Sequence, residues 1–184
     1  MRKKLLNGLV LLALSICFCS SSYSQAGPQK IVIIRHGEKP EKGDNLSCQG
    51  LNRALQLSGV LYNKIGVPNQ IYVPSLNVGK NTTIARMYQT IIPFAVKYNL
   101  NIDTKYGVKD IDKIASHIKQ ESGTILLVWE HKNILKIAMA LGIKEKLMWD
   151  DNDYDTIWII TFSNGVAKLF KDKENIKPLS TCQW

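Results

Sequence analysis

Four consecutive aliphatic β-branched residues, Ile31-Val32-Ile33-Ile34, stand between Lys30 and the pair Arg35-His36. Side chains alternate between the two faces of a strand, so an unbroken apolar run describes a strand covered on both sides. A second run, Thr124-Ile-Leu-Leu-Val-Trp129, stops as sharply at Glu130-His131. Two such strands need helices above and below them, and the sequence between and after them has the required periodicity. Leu51, Ala54, Leu55, Leu57, Val60 and Leu61 recur at helical spacing behind Ser47, a good N-cap residue. Ile111, Ile114, Ala115 and Ile118 share one face of a helix predicted over Asp110 to Gln120. A helix over Thr83 to Lys97 is expected to bend or divide near Pro93, and another from Asn133 to Leu141 should stop at Gly142. Gln70-Ile-Tyr-Val73 is a short strand ended by Pro74. Thr156 to Phe162 and Val166 to Phe170 flank Ser163-Asn164-Gly165, a hairpin signal. This alternation predicts a three-layer α/β domain built on one sheet. No repeat or linker divides it.

The N-terminus follows another logic. Met1 to Lys4 carries three positive charges and no negative one, Leu9 to Cys19 is almost wholly apolar, and a Ser/Tyr run follows. That order is the pattern of a secretory signal peptide, and the apolar part is shorter than the roughly 20 residues of a spanning helix. Cleavage after Ser24 is expected, giving segments 1–24 (signal peptide) and 25–184 (a single domain), and an exported, periplasmic or secreted protein. A lipoprotein signal is the weaker alternative: Ile16 and Phe18, ahead of Cys17 and Cys19, are larger than a lipobox tolerates. Removal of the segment takes the formal charge from +9 to +6 and leaves Cys48 and Cys182, which either pair or stay as separate thiols. The remaining composition, apolar-rich with dispersed lysines and no interleaved aromatic motif, excludes a disordered chain, a disulfide scaffold and an obvious nucleic-acid reader.

Chemistry concentrates where the two buried strands end. Arg35-His36-Gly37-Glu38 follows the first and Glu130-His131 the second, so two of the three histidines occupy strand ends, where ligands gather in open α/β sheets. His117 lies mid-helix and is read as a surface or core-edge residue. The Arg35-His36-Gly37 triplet resembles the signature of the histidine phosphatase superfamily, the phosphoglycerate mutase-like family. Leu46-Ser47-Cys48-Gln49-Gly50-Leu51-Asn52-Arg53-Ala54 resembles the family's first helix start. Arg86-Met87-Tyr88-Gln89-Thr90 resembles its Arg-x-x-Gln-Thr segment, and His131 its second histidine. The resemblance spans residues 31 to about 140 in the correct order. It implies a three-layer α/β/α sandwich with a mostly parallel central sheet.

The resemblance also implies roles. His36 is the expected nucleophile, carrying a covalent phosphohistidine. Arg35 and Arg86 present guanidinium forks to the phosphoryl oxygens, a task to which arginine is better suited than lysine. His131 completes the pocket as a further donor. Asn133 is placed with the substrate-binding residues, orienting the turn before its helix. The proton donor is less determined. One branch of the family has an Asp directly after the second histidine, where this chain has Lys132. Asp110 and Asp112 fall in the interval where another branch has a Glu, without a matching motif, and Glu38 is the residue chosen. Ser75 and Arg86 stand 11 positions apart, further than is usual in the family, and the longer loop suggests that Lys80 or Asn81 touches substrate.

The expected activity is hydrolysis of phosphate monoesters or a phosphorylated protein, without metal or other cofactor, on a small phosphorylated substrate. A phosphomutase and a non-catalytic phosphate-binding module are the alternatives, and neither nucleic acid nor a membrane span is expected of the mature chain. A metal-dependent hydrolase using His36-x-Glu38 with Glu130-His131 is disfavoured, because Arg35 and Arg86 oppose a dication at the same place. Gly79-Lys80-Asn81-Thr82 lacks the first glycine and the Ser/Thr of a P-loop. Asp151-Asn-Asp-Tyr-Asp155 begins like a calcium loop but has Thr156 and Phe162 where glycine and glutamate belong. It is read as a solvated loop. Asn45-Leu-Ser47 and Asn81-Thr-Thr83 fit the glycosylation sequon.

Overall fold

The computed structural model describes residues 27–76 and 82–182. The expected signal segment, Lys80 and Asn81 lie outside the described residues.

The strand-like runs form β1 (Lys30–Arg35), β2 (Gln70–Tyr72), β3 (Thr124–Trp129), β4 (Thr156–Ser163) and β5 (Val166–Lys173). The helices are α1 (Cys48–Ile65), α2 (Ala85–Tyr98), α3 (Ile111–Ile118) and α4 (His131–Ala140). One sheet has the order β2-β3-β1-β4-β5. β1 and β2 each pair parallel with β3, whereas β4 is antiparallel to both β1 and β5. β5 therefore runs in the direction of β1, and β4 alone is reversed. The sheet is thus mostly parallel, as expected.

The unbroken apolar runs are explained by what covers each face. Ile31 and Ile33 of β1, with Ile125, Leu127 and Trp129 of β3, pack against Ile114 and Ile118 of α3 and Ile134 and Ile137 of α4. Val32 and Ile34, with Leu126 and Val128, face the other way, onto Leu57 and Leu61 of α1 and Ile91 and Phe94 of α2. All of these side chains are fully buried, and each contributes about 1.5–3 kcal/mol over the exposed state. The result is a three-layer α/β/α sandwich.

Two local expectations turn out differently or more sharply. α2 continues through Pro93 as a single helix. The missing proline N–H is outweighed there by the burial of Ile91, Phe94 and Ala95 on one face. At the hairpin, Asn164 and Gly165 have φ of 52° and 75°, the left-handed pair that a two-residue turn of matching twist requires.

Cys48 and Cys182 form a disulfide across 134 positions of chain. It fastens the C-terminal tail to the first residue of α1. Asn52 reinforces this by donating from Nδ2 to the carbonyls of Leu179 and Thr181, at 2.8 and 2.9 Å.

Candidate active site

β1 and β3 are adjacent and parallel, with Arg35 opposite Trp129, so their C-terminal ends lie side by side. The His36 N–H continues the ladder by donating to the Trp129 carbonyl at 3.1 Å. Topology alone therefore brings His36 and the start of α4, which is His131, to the same end of the sheet.

His36 is 4% exposed. Its Nδ1 lies 2.7 Å from the Gly37 carbonyl, a contact in which only a protonated Nδ1 can donate. The neutral ring then carries its lone pair on Nε2. Burial first, and then the charges of Arg35, Arg86 and His131, lower its pKa to about 4 against the pull of the Gly37 carbonyl. Near neutral pH the ring is a free base, the state a nucleophile needs. A ring NMR titration should give a His36 midpoint near 4; a midpoint near 6.5 would mean that the surrounding cations and burial do not act on it. The sign of the stability effect follows. The unfolded histidine takes up a proton below about 6.5, and the folded one only near 4. This group therefore favours unfolding progressively as pH falls through that window.

The turn after His36 is clamped by the other resembling segments. The Gly37 N–H donates to Thr90 Oγ1 at 2.8 Å, and Thr90 Oγ1 donates to the Arg86 carbonyl at 2.7 Å. Gln89 accepts from the Leu46 N–H at 3.0 Å and donates to Asn45 Oδ1 at 2.8 Å. Ser47 caps α1 by accepting from the Gly50 N–H at 3.1 Å and donates to the Glu38 carbonyl at 3.1 Å. Gly37 and Gly50 allow two backbones to touch. A Cβ on Gly37 would stand 2.9 Å from the Gly50 oxygen, and one on Gly50 would overlap the Glu38 carbonyl oxygen.

Arg35 and Arg86 supply the cations. Arg86, in the first turn of α2, donates from Nη1 to the Gly43 carbonyl at 3.3 Å, and its buried Nε has no partner. Arg35 is 2% exposed. Its Nη1 donates to the carbonyls of Asp151 at 2.6 Å, Asp153 at 3.2 Å and Asp150 at 3.4 Å. The Tyr154 ring lies 3.9 Å from its guanidinium carbon, and its buried Nε is unpartnered. Each arginine thus has a buried Nε without a partner, and both charges act on His36. His131 Nε2 approaches Asp151 Oδ1 to 2.8 Å without hydrogen-bond alignment, and neither of its ring nitrogens has a hydrogen-bond partner. Burial, then Arg35, lowers the His131 pKa, with Asp151 acting in the opposite direction.

Two residues read as functional from sequence are otherwise engaged. Both oxygens of Glu38 accept from Arg53, at 2.8 to 3.0 Å. A carboxylate held by a buried guanidinium on both oxygens is poorly placed to deliver protons, so Glu38 is corrected to a structural residue. Asn133 donates from Nδ2 to the Val108 carbonyl at 3.1 Å and to Glu130 Oε1 at 2.6 Å. Both of its amide N–H groups are committed within the protein, across the turn between β3 and α4. Among the described residues no group of three or more His, Cys, Asp or Glu is placed to hold a metal ion.

Sequence reasoning missed two features. Arg53 is the hub of a buried cluster, donating also to Glu174 Oε2 at 2.7 Å and lying 3.5 Å from Asp155 Oδ1. Its place in the resembling helix start was the available signal. The second is the Asp150–Asp155 loop, read as solvated, which lies against Arg35 and His131. Nothing in its composition identified that contact.

No family model matches the sequence, and no curated protein matches it. Solved structures do. The protein histidine phosphatase SixA complexed with tungstate is 13% identical, with 79% of this chain and 97% of that one covered at a TM-score of 0.60. A phosphoglycerate mutase from Plasmodium falciparum is 14% identical over 86% and 99%, at 0.55. A mycobacterial glucosyl-3-phosphoglycerate phosphatase with inorganic phosphate is 12% identical over 78% and 95%, at 0.54. At these identities the likeness is one of fold, and the fold is phosphoglycerate mutase-like.

Proposed function

We propose that this chain, which has the fold of the histidine phosphatase superfamily, is a metal-independent phosphohydrolase acting through a phosphohistidine on His36. One observation carries the reading: a buried imidazole, with Nδ1 held by the Gly37 carbonyl and Nε2 left as the base, whose pKa is lowered to about 4 by burial and by the charges of Arg35 and Arg86. The Nε2 lone pair attacks phosphorus. Arg35 and Arg86 neutralise the equatorial oxygens, with His131 as a further donor, as the ester bond lengthens, and water then hydrolyses the N–P bond. The substrate is a small phosphate monoester or a phosphorylated protein. The similar proteins include phosphatases named for phosphohistidine and for glucosyl-3-phosphoglycerate, which supports the reaction class and leaves the substrate to experiment.

Export is part of the proposal. It is supported by the basic–apolar–polar N-terminus and by the Cys48–Cys182 disulfide, a bond that persists in oxidising compartments. Among the described residues no helix is long and apolar enough to cross a membrane.

The test is a panel of phosphomonoesters and a phosphohistidine-containing protein, assayed with the protein lacking residues 1–24, with and without chelator. Orthophosphate release indifferent to chelator is expected, together with an acid-labile phosphoenzyme on rapid quenching. Turnover abolished by chelator, or phosphate release with no such intermediate, would overturn the mechanism.

A further inference from the structure

The proposed chemistry lacks a proton donor. Glu38 is held by Arg53, Glu130 accepts from Asn133, and the residue after His131 is Lys132. Asp110 accepts from the Gly107 N–H at 2.9 Å and pairs with Lys113 at 3.1 Å. One carboxylate stands differently. Asp151 Oδ1 lies 2.8 Å from His131 Nε2, while its side chain is 81% exposed. It therefore touches the phosphate pocket on one side and is open to solvent, and to a departing group, on the other.

The loop carrying it is built to hold this position. The Asp151 carbonyl accepts from Arg35 at 2.6 Å, and Tyr154 lies under the same guanidinium. Asp153 Oδ1 accepts the N–H groups of Asp155 and Thr156, at 2.9 and 3.0 Å. The Trp149 indole donates to the Asp153 carbonyl at 2.8 Å, and Asp150 Oδ1 accepts from the Asn152 N–H at 2.7 Å. Arg35 thus holds the Asp151 backbone, and the carboxylate stands beside His131 at the distance proton transfer to a leaving group requires.

We propose that Asp151 is the general acid and base of the reaction at His36, an inference that rests on the phosphohydrolase reading above. As His36 Nε2 bonds to phosphorus and the ester P–O bond breaks, the departing oxygen takes the Asp151 proton. The Asp151 carboxylate then takes a proton from water, whose oxygen attacks phosphorus while the N–P bond breaks. Orthophosphate leaves, and neutral His36 and protonated Asp151 are restored.

The test compares wild type with Asp151→Asn and Asp151→Glu on 4-nitrophenyl phosphate and on glycerol phosphate, reading kcat/KM, which reports steps up to phosphoenzyme formation. Nitrophenolate leaves without a proton, so Asp151→Asn should change that substrate little. It should lower glycerol phosphate turnover by about 10²-fold or more, and Asp151→Glu should recover part of the loss. The side chain is exposed, so an unchanged melting temperature is expected to accompany this. An equal loss on both esters would make Asp151 a positioning residue and overturn the proposal. A gain on both would also overturn it, making the carboxylate a competitor for the phosphate site. Wild-type protein inactive on every ester would fail the phosphohydrolase reading itself; an active wild type with leaving-group-independent variants fails only this inference.

Discussion

Replacing His36 with alanine is expected to lower phosphomonoester turnover by roughly 10⁴-fold or more, the scale seen when a covalent nucleophile is removed. The expectation follows from the ring's surroundings. Its Nδ1 is held by the Gly37 carbonyl, leaving the lone pair on Nε2, and burial with the charges of Arg35, Arg86 and His131 lowers its pKa to about 4. His131 cannot substitute, because it arises from the first turn of α4 and its ring is set against Asp151. His36→Asn is the control for folding, since an amide can still donate to the Gly37 carbonyl and fill most of the volume. Both variants should lose the acid-labile phosphoenzyme while keeping phosphate binding through the arginines, measurable by calorimetry with orthophosphate. Substantial turnover in either variant would remove His36 from the chemistry.

Arg53→Met should cost about 3–5 kcal/mol of folding stability, the scale for breaking a buried ion pair from one side. Arg53 is 5% exposed and faces Glu38, Glu174 and Asp155. Without it, carboxylates that are themselves buried lose their counter-charge. Burial already pushes Glu174 up to about 7, even against the opposing pull of Arg53. In the unfolded chain that carboxyl titrates near 4.3, so between about 7 and 4.3 the folded state holds more protons and acidification relieves its cost. The Arg53→Met deficit should accordingly shrink from pH 7.5 to pH 5 in urea unfolding. Adding Glu38→Gln and Glu174→Gln should restore part of the stability, because neutral amides are cheaper to bury than orphaned charges. A single-variant loss below about 1 kcal/mol, or a triple variant worse than the single, would show that the cluster does not work as a charge-balanced unit. The consequence reaches the site: Glu38 follows Gly37 in the turn that holds the His36 ring, and Arg53 keeps that turn on α1.

Much of this molecule was legible in its residues. The runs at Ile31–Ile34 and Thr124–Trp129 announced strands covered on both faces, and Asn164-Gly165 announced its hairpin, because side-chain period and backbone φ are local properties. The Arg35-His36-Gly37 turn was legible as well, since its glycine answers a close backbone approach that any chain using this turn must satisfy. Pro93 does not divide its helix: a helix buried along one face tolerates a lost hydrogen bond that an isolated helix would not. The cysteine pair stayed open in the sequence because spacing says nothing about distance in space across 134 positions.

The sequence by itself determined the layered architecture and the end of the sheet where the two strand-end histidines meet. The tertiary structure decided how each carboxylate is used. Glu38, two residues from His36 in sequence, was drawn away by a guanidinium 15 positions on. Asp151, more than 100 positions away, was brought to His131 by the loop that receives Arg35. Propensity and periodicity act over a few residues, whereas the engagement of a charged group depends on which opposite charge the completed fold places beside it.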